Sequence, residues 1–238
     1  MNKKMKRPSA IILSLALVLC SCTVNIHDPL IGDKLVFSAV ASHSSKGIIA
    51  TTTYPLDEPF VVEAVHSGES FISGETVEYN MDFGYWMTSE EHLWPSNGTI
   101  TFYAGSPIVP QLSISRERGV EADWSIPSND ETTVDLCFAE VSEPCKDHTA
   151  AVPLVFSHAL SEVCFKARTF RHYSSSQTAD NLVQANVITV VLDSMKLKGV
   201  VSEAHFTQSP FMWELKTGKT AEYTIFSDPE GLELKCDR

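Results

Sequence analysis

The feature that most constrains this chain is a period of two in its apolar residues, repeated in segment after segment. Leu35, Phe37 and Ala39 share one parity, as do Phe60, Val62 and Ala64. Ile100, Phe102 and Ala104 follow, then Val134, Leu136 and Phe138. The longest run is Val152, Leu154, Phe156, His158 and Leu160. Successive side chains of an extended strand point to opposite faces, so each run builds one apolar face and one polar face. Turn-forming clusters separate the runs, such as Pro95-Ser96-Asn97-Gly98, Gly105-Ser106-Pro107 and Pro127-Ser128-Asn129-Asp130. No stretch of helical length carries a clean 3.6-residue period. The pattern predicts an all-β chain whose antiparallel sheets pack as a sandwich or barrel. Between Leu160 and Val163 the apolar parity changes from even to odd, continuing through Phe165 and Ala167. A one-residue slip flips every side chain, so a bulge or tight bend is expected near Ser161-Glu162. Residues 171–181 read as a hairpin loop and residues 187–197 as another strand. Leu232, Leu234 and Cys236 alternate as a final or donated strand.

The first residues obey different rules. Lys3, Lys4, Lys6 and Arg7 precede an apolar run from Ala10 to Leu19, the layout of an export signal. Ten helical residues rise about 15 Å, roughly half the hydrocarbon thickness of a bilayer. No later segment reaches the roughly 18 apolar residues that a helical span needs. Leu19-Cys20-Ser21-Cys22 resembles a bacterial lipobox, which implies a diacylglycerol on Cys22 and cleavage after Ser21. Two or more acyl chains hold a protein firmly on a membrane.

Cleavage there leaves 217 of the 238 residues, and 14 of the 18 basic side chains against 30 acidic ones, a formal net charge of −16. Such a surface repels phosphate backbones, so nucleic acid is excluded as a partner. Of six cysteines, Cys137, Cys145, Cys164 and Cys236 would remain as thiols or disulfides. In an oxidising compartment four cysteines can pair in three ways. Cys137 and Cys145 are near enough in sequence to bridge a turn, and isolated buried thiols are the other reading.

No constellation for catalysis emerges, and the chain reads as a non-enzyme. Ser157 and His158 are adjacent on a strand, so they point to opposite faces and cannot act as nucleophile and base; His158 instead shares the parity of the core. Cys145 and His148 are too few ligands for a closed metal site, and Glu90-Glu91-His92 lacks the second histidine of a metalloprotease helix. No metal or cofactor site is expected. Asp57-Glu58 before Pro59 reads as a solvated turn. Among the aromatic residues, Tyr85 and Trp86, beside Gly84, are the candidate glycan contact.

Four segments in order carry a family resemblance. They are Trp94-Pro95-Ser96-Asn97-Gly98-Thr99-Ile100-Thr101-Phe102-Tyr103-Ala104 and Val134-Asp135-Leu136-Cys137-Phe138-Ala139. A third runs from Val152 to Phe165 with its Phe156-Ser157-His158-Ala159-Leu160 core, and the fourth covers residues 188–199. With the lipobox, they make the chain similar to the fimbrillin-like (Mfa-like) lipoproteins of the Bacteroidota, over roughly residues 35–215. The resemblance implies a transthyretin-like β-sandwich over residues 34–150 and a second, abbreviated β domain over 151–238. These follow a signal peptide (1–21) and a lipidated tether (22–33). It further implies a structural or adhesive fimbrial component at the outer membrane, as subunit, tip or anchor, joined to other fimbrial subunits by strand addition. Polymerising members are trimmed after an arginine near the N-terminus. Here no arginine lies between Cys22 and Arg116, with only Lys34 and Lys46 as basic positions, which favours a chain kept on its lipid. The rival expectation is a surface lipoprotein that binds glycans or a host surface.

Overall fold

The computed structural model describes residues 33–45, 48–127, 134–146, 150–161, 163–168 and 190–234. All regular elements among them are strands, as the alternation requires. Seven form a closed ring: β1 (Phe37–Ser45), β3 (Phe60–His66), β4 (Glu69–Asn80), β5 (Tyr85–Thr88), β6 (Thr99–Ser106), β9 (Cys137–Pro144) and β10 (Val152–His158). Their order is β10-β9-β6-β3-β4-β5-β1, and β10 then pairs in parallel with β1, matching Phe37 to Val152 and Ala41 to Phe156. Phe37 opposite Trp86 joins β1 to β5. β2 (Ile48–Thr53) extends the sheet as an antiparallel neighbour of β1.

The core follows the parity read from the sequence. Phe37, Phe60, Val62, Ala64, Ile100, Phe102, Ala104, Val152, Leu154 and Phe156 are all fully buried inside the ring. Each large side chain among them contributes about 1.5–3 kcal/mol by leaving water. Phe37 stands edge-on to Phe102 at 5.7 Å, and Tyr54 lies 4.6 Å from Phe156, separations at which aromatic pairs attract beyond their burial.

Tyr54 brings a hydroxyl into this core and donates it to Ser106 Oγ at 2.7 Å. Burial pushes its pKa up to about 12, against the smaller opposing effect of the Ser106 hydrogen bond. A folded pKa above the ordinary value of 10 means a contribution that is complete below pH 10 and lost as pH rises towards 12. The Tyr54→Phe protein is therefore expected to lose less stability than the parent between pH 10 and 12. Denaturant titrations across that window check it. The Cys137 thiol, raised over an overlapping range, is common to both proteins.

A second, four-stranded sheet has the order β13-β12-β8-β7: β7 (Leu112–Ser115), β8 (Gly119–Ser125), β12 (Glu203–Thr207) and β13 (Met212–Leu215). Its core holds Val120, Ala122, Leu136 and Phe206, with Phe138 and Trp213 against them. β9 serves both cores: Cys137, Ala139 and Val141 face the ring, and Phe138 faces the smaller sheet. The two layers meet so closely that a Cβ on Gly105 would lie 2.7 Å from Val120 Cγ2. Pairing crosses residue 150 twice, β10 with β1 and β12 with β8. β11 (Val191–Val201) and β14 (Thr220–Glu233) form a separate two-stranded ribbon.

Three expectations need correction. The strand through Val163, Phe165 and Ala167 does not form; the chain bends at Ala159–Leu160, and Val163 is 68% exposed. The parity change there marks the end of a strand. Val134 is also exposed, although Leu136 on the same parity is fully buried. Cys137 and Cys145 do not form a disulfide; both are free thiols, one opening β9 and the other just beyond its end. Eight steps along a strand cover about 26 Å, far beyond the roughly 7 Å between Cα atoms that a disulfide tolerates. Cys164 is exposed. The tail pairs within its own chain, Leu232 opposite Leu192 and Leu234 N donating to Val190 O. Cys22, Cys236, residues 171–181 and His148 lie outside the described residues.

Candidate functional site

The aromatic pair singled out from sequence is not a surface platform. Trp86 is 3% exposed and belongs to the ring core. Phe60, Tyr79 and Tyr54 surround it at 5.2, 5.4 and 5.5 Å between ring centres. Gly84, at φ +74°, closes the turn before β5 and sends the next strand inward. Tyr85 is half-buried beside it. A sugar cannot stack on an indole whose faces are already covered, so Trp86 is a packing residue.

Ser157 and His158 separate as strand geometry demands. Ser157 Oγ lies 3.3 Å from Ser42 Oγ. His158 sits at the rim of the ring rather than in its core, with a side chain 41% exposed and Nδ1 in contact with Asp135 Oδ2. Glu75 Oε1 meets His92 Nε2 at 2.9 Å, and Asp57 lies in an exposed turn.

A cluster that sequence reasoning missed occupies the same rim. Cys137 opens β9 and pairs directly with His158, the last residue of β10. Asp135 precedes Cys137 by two positions. Cys137 Sγ is 3.6 Å from His158 Nδ1 and 3.7 Å from Asp135 Oδ2, and the three donor atoms lie within 4.8 Å of one another. Burial, then the Asp135 charge, push the Cys137 thiol up to about 12. Sequence offered one usable signal, the 135/137 spacing that puts both side chains on one face of an extended chain. The partner at 158 was hidden because only the fold supplies the cross-strand register.

Two further features lie in the smaller layer. A cavity of about 200 Å³ is lined mostly by apolar side chains, among them Trp124, Ile126, Leu160, Val201, Trp213 and Leu215. Trp213 Nε1 donates to Ala159 O at 3.3 Å, which fixes one wall. The β11–β14 ribbon exposes Val191, Leu197, Ile225 and Leu232. Among the described residues neither of its strands has a second strand neighbour.

The family model described as Fimbrillin-like matches residues 47–233, a span that includes the smaller sheet, the ribbon and every strand of the ring except β1. Among solved structures, the fold is similar to that of a Bacteroides ovatus protein provisionally assigned to cell adhesion. That likeness has 15% identity and a TM-score of 0.48, over 84% of this chain and 75% of the other. A weaker likeness links it to the fimbrial anchor protein Mfa2 of Porphyromonas gingivalis, at 12% identity and a TM-score of 0.33, over 52% of this chain and 50% of that one. No curated protein matches the chain in sequence.

Proposed function

The chain belongs to the fimbrillin-like family, and we propose that it works there as a cell-surface lipoprotein, held in the outer membrane through Cys22, that serves as a structural or adhesive fimbrial component. The observation that carries this reading is the family match across residues 47–233. Within that span, the ribbon of β11 and β14 supports a docking role. Unpaired strand edges and unburied apolar side chains are what strand addition by a neighbouring subunit consumes. The sparse basic residues after Cys22, Lys34 and Lys46 before Arg116, support retention of the lipid. Lys34 is engaged with Glu91 at 2.6 Å, and the first arginine, Arg116, is bound to Glu69 and Glu117 far along the chain. The protein therefore acts at the membrane end of the fibre. A structural role without catalysis is supported by the family match, and Ser157 and His158, split between opposite faces, do not form a nucleophile–base pair.

Fractionation of cells carrying the native or the Cys22→Ser chain tests this. The native chain is expected with the outer membrane and with fimbrial material, and Cys22→Ser in the soluble fraction. A native chain recovered only as a soluble monomer would contradict both anchoring and assembly.

A further inference from the structure

We propose that Asp135, Cys137 and His158 bind a divalent transition-metal cation, with zinc the best match to their mixed oxygen, sulfur and nitrogen donors. Two of the three ligands are placed by backbone register. His158 stands directly opposite Cys137 in the β9–β10 pair, where Cβ atoms sit about 4.5–5.5 Å apart. Asp135 joins them two residues upstream.

The separations fit a tetrahedral ion. Bonds of about 2.3 Å to sulfur and 2.0 Å to nitrogen or oxygen put sulfur about 3.5 Å from either neighbouring donor. Sγ is 3.6 Å from Nδ1 and 3.7 Å from Oδ2. The third edge, Asp135 to His158, is closed by a hydrogen bond. The ion replaces that hydrogen bond, and the edge opens to about 3.3 Å. Asp135 makes this adjustment, because it lies outside any strand and its side chain is 45% exposed.

The rival chemistry, a Cys–His–Asp nucleophile, fails on geometry. A relay needs the acid on one ring nitrogen and the thiol on the other. Here Sγ and Oδ2 both meet Nδ1. Three atoms converging on a point suit an ion. Electrostatics agrees, since Asp135 and Glu58 both make the field at Sγ negative. As the metal–sulfur bond forms, the thiol proton leaves to water. The proton of the Asp135–Nδ1 hydrogen bond also leaves to water where Nε2 is already protonated, or is exchanged through water to Nε2 where it is not. Nδ1 then offers its lone pair, Asp135 ligates as the carboxylate and the ring carries its hydrogen on Nε2. Three protein ligands leave a fourth position for water or for a group from a binding partner. The ion would clamp β9 to β10 at the open end of the ring.

Cobalt(II) titration of the full chain reads this directly, because a cobalt–thiolate bond gives a charge-transfer band in the near ultraviolet. The background is a chain with Cys20, Cys22, Cys164 and Cys236 replaced by serine, leaving buried Cys145 and Cys137. A band that saturates at one equivalent and is displaced by zinc is expected, and Cys137→Ser should abolish it. His158→Ala should weaken cobalt binding at least tenfold. Circular dichroism and metal-free melting of both variants check that they are folded. A misfolded variant is replaced by Asp135→Asn, which should also weaken binding. Absence of the band in the background, or its survival in folded Cys137→Ser, overturns the site.

Discussion

Trp86→Ala is expected to destabilise the protein by about 3–5 kcal/mol, the usual cost of emptying a large aromatic site. In a chain of this size that lowers the melting temperature by about 6–20 °C. The indole is 3% exposed and touches rings from three other segments, Tyr54, Phe60 and Tyr79. Its backbone also lies at the β1–β5 junction, opposite Phe37. A void there removes one aromatic neighbour from each of Phe60, Tyr54 and Tyr79 just where the ring closes. Trp86→Phe, which keeps an aromatic side chain, should recover much of the loss. Chemical denaturation of the three proteins measures it. Equal stability of Trp86→Ala and the parent would mean that the indole is not in the core.

The second large effect is expected at Gln208, which ties the two layers together. Its amide Nε2 donates to Ala139 O on β9 at 3.1 Å. Its Oε1 accepts from Val120 N on β8 at 2.9 Å. The residue is 5% exposed, so both backbone groups depend on it. Gln208→Leu keeps the volume but strands one donor and one acceptor, each at about 1–3 kcal/mol, for a total loss of about 2–6 kcal/mol. Gln208→Glu, at a pH where the carboxyl is protonated, keeps the acceptor for Val120 and offers an O–H in place of the amide donor to Ala139, so it should fall in between there. The surroundings leave no slack. A Cβ on Gly119, at φ +66°, would lie 2.6 Å from Gln208 Oε1. Urea midpoints of the three proteins decide the matter, and no change in Gln208→Leu would refute the bridge.

The strand core was legible because alternation reports burial directly. Phe60, Val62 and Ala64 were placed on one face from parity alone, and all three are fully buried. Parity fails where a strand is buried on both sides or ends early. β9 sends Cys137 to one core and Phe138 to another, so its apolar residues do not alternate cleanly with polar ones. Val163 and Phe165 continue a pattern with no sheet to receive it. Short or polar-rich strands such as β7 and β13 carry too few apolar residues to be recognised. Trp86 was misjudged because flanking glycine signals a turn but not the direction of the next side chain. The Asp135–Cys137–His158 cluster was invisible for a different reason. Its members are 23 residues apart at the extremes, and only the β9–β10 register brings them together.

Pairing also bears on how the family match should be understood. The matched span includes β12, which pairs with β8, and β10, which pairs with β1. Residues on both sides of position 150 therefore contribute to each layer. What stands apart is the β11–β14 ribbon, which leaves Val191, Leu197 and Leu232 exposed. A two-stranded ribbon is marginal alone in water, and a neighbouring subunit that covers it would supply the missing burial.

The most direct measurement of the fimbrial role is immunogold electron microscopy of intact cells, using antibody against the native protein. The account predicts label on fibres or at their bases, and loss or shortening of fibres when the chain is removed. Label spread over the envelope without relation to fibres, together with unchanged fibres in its absence, would contradict it.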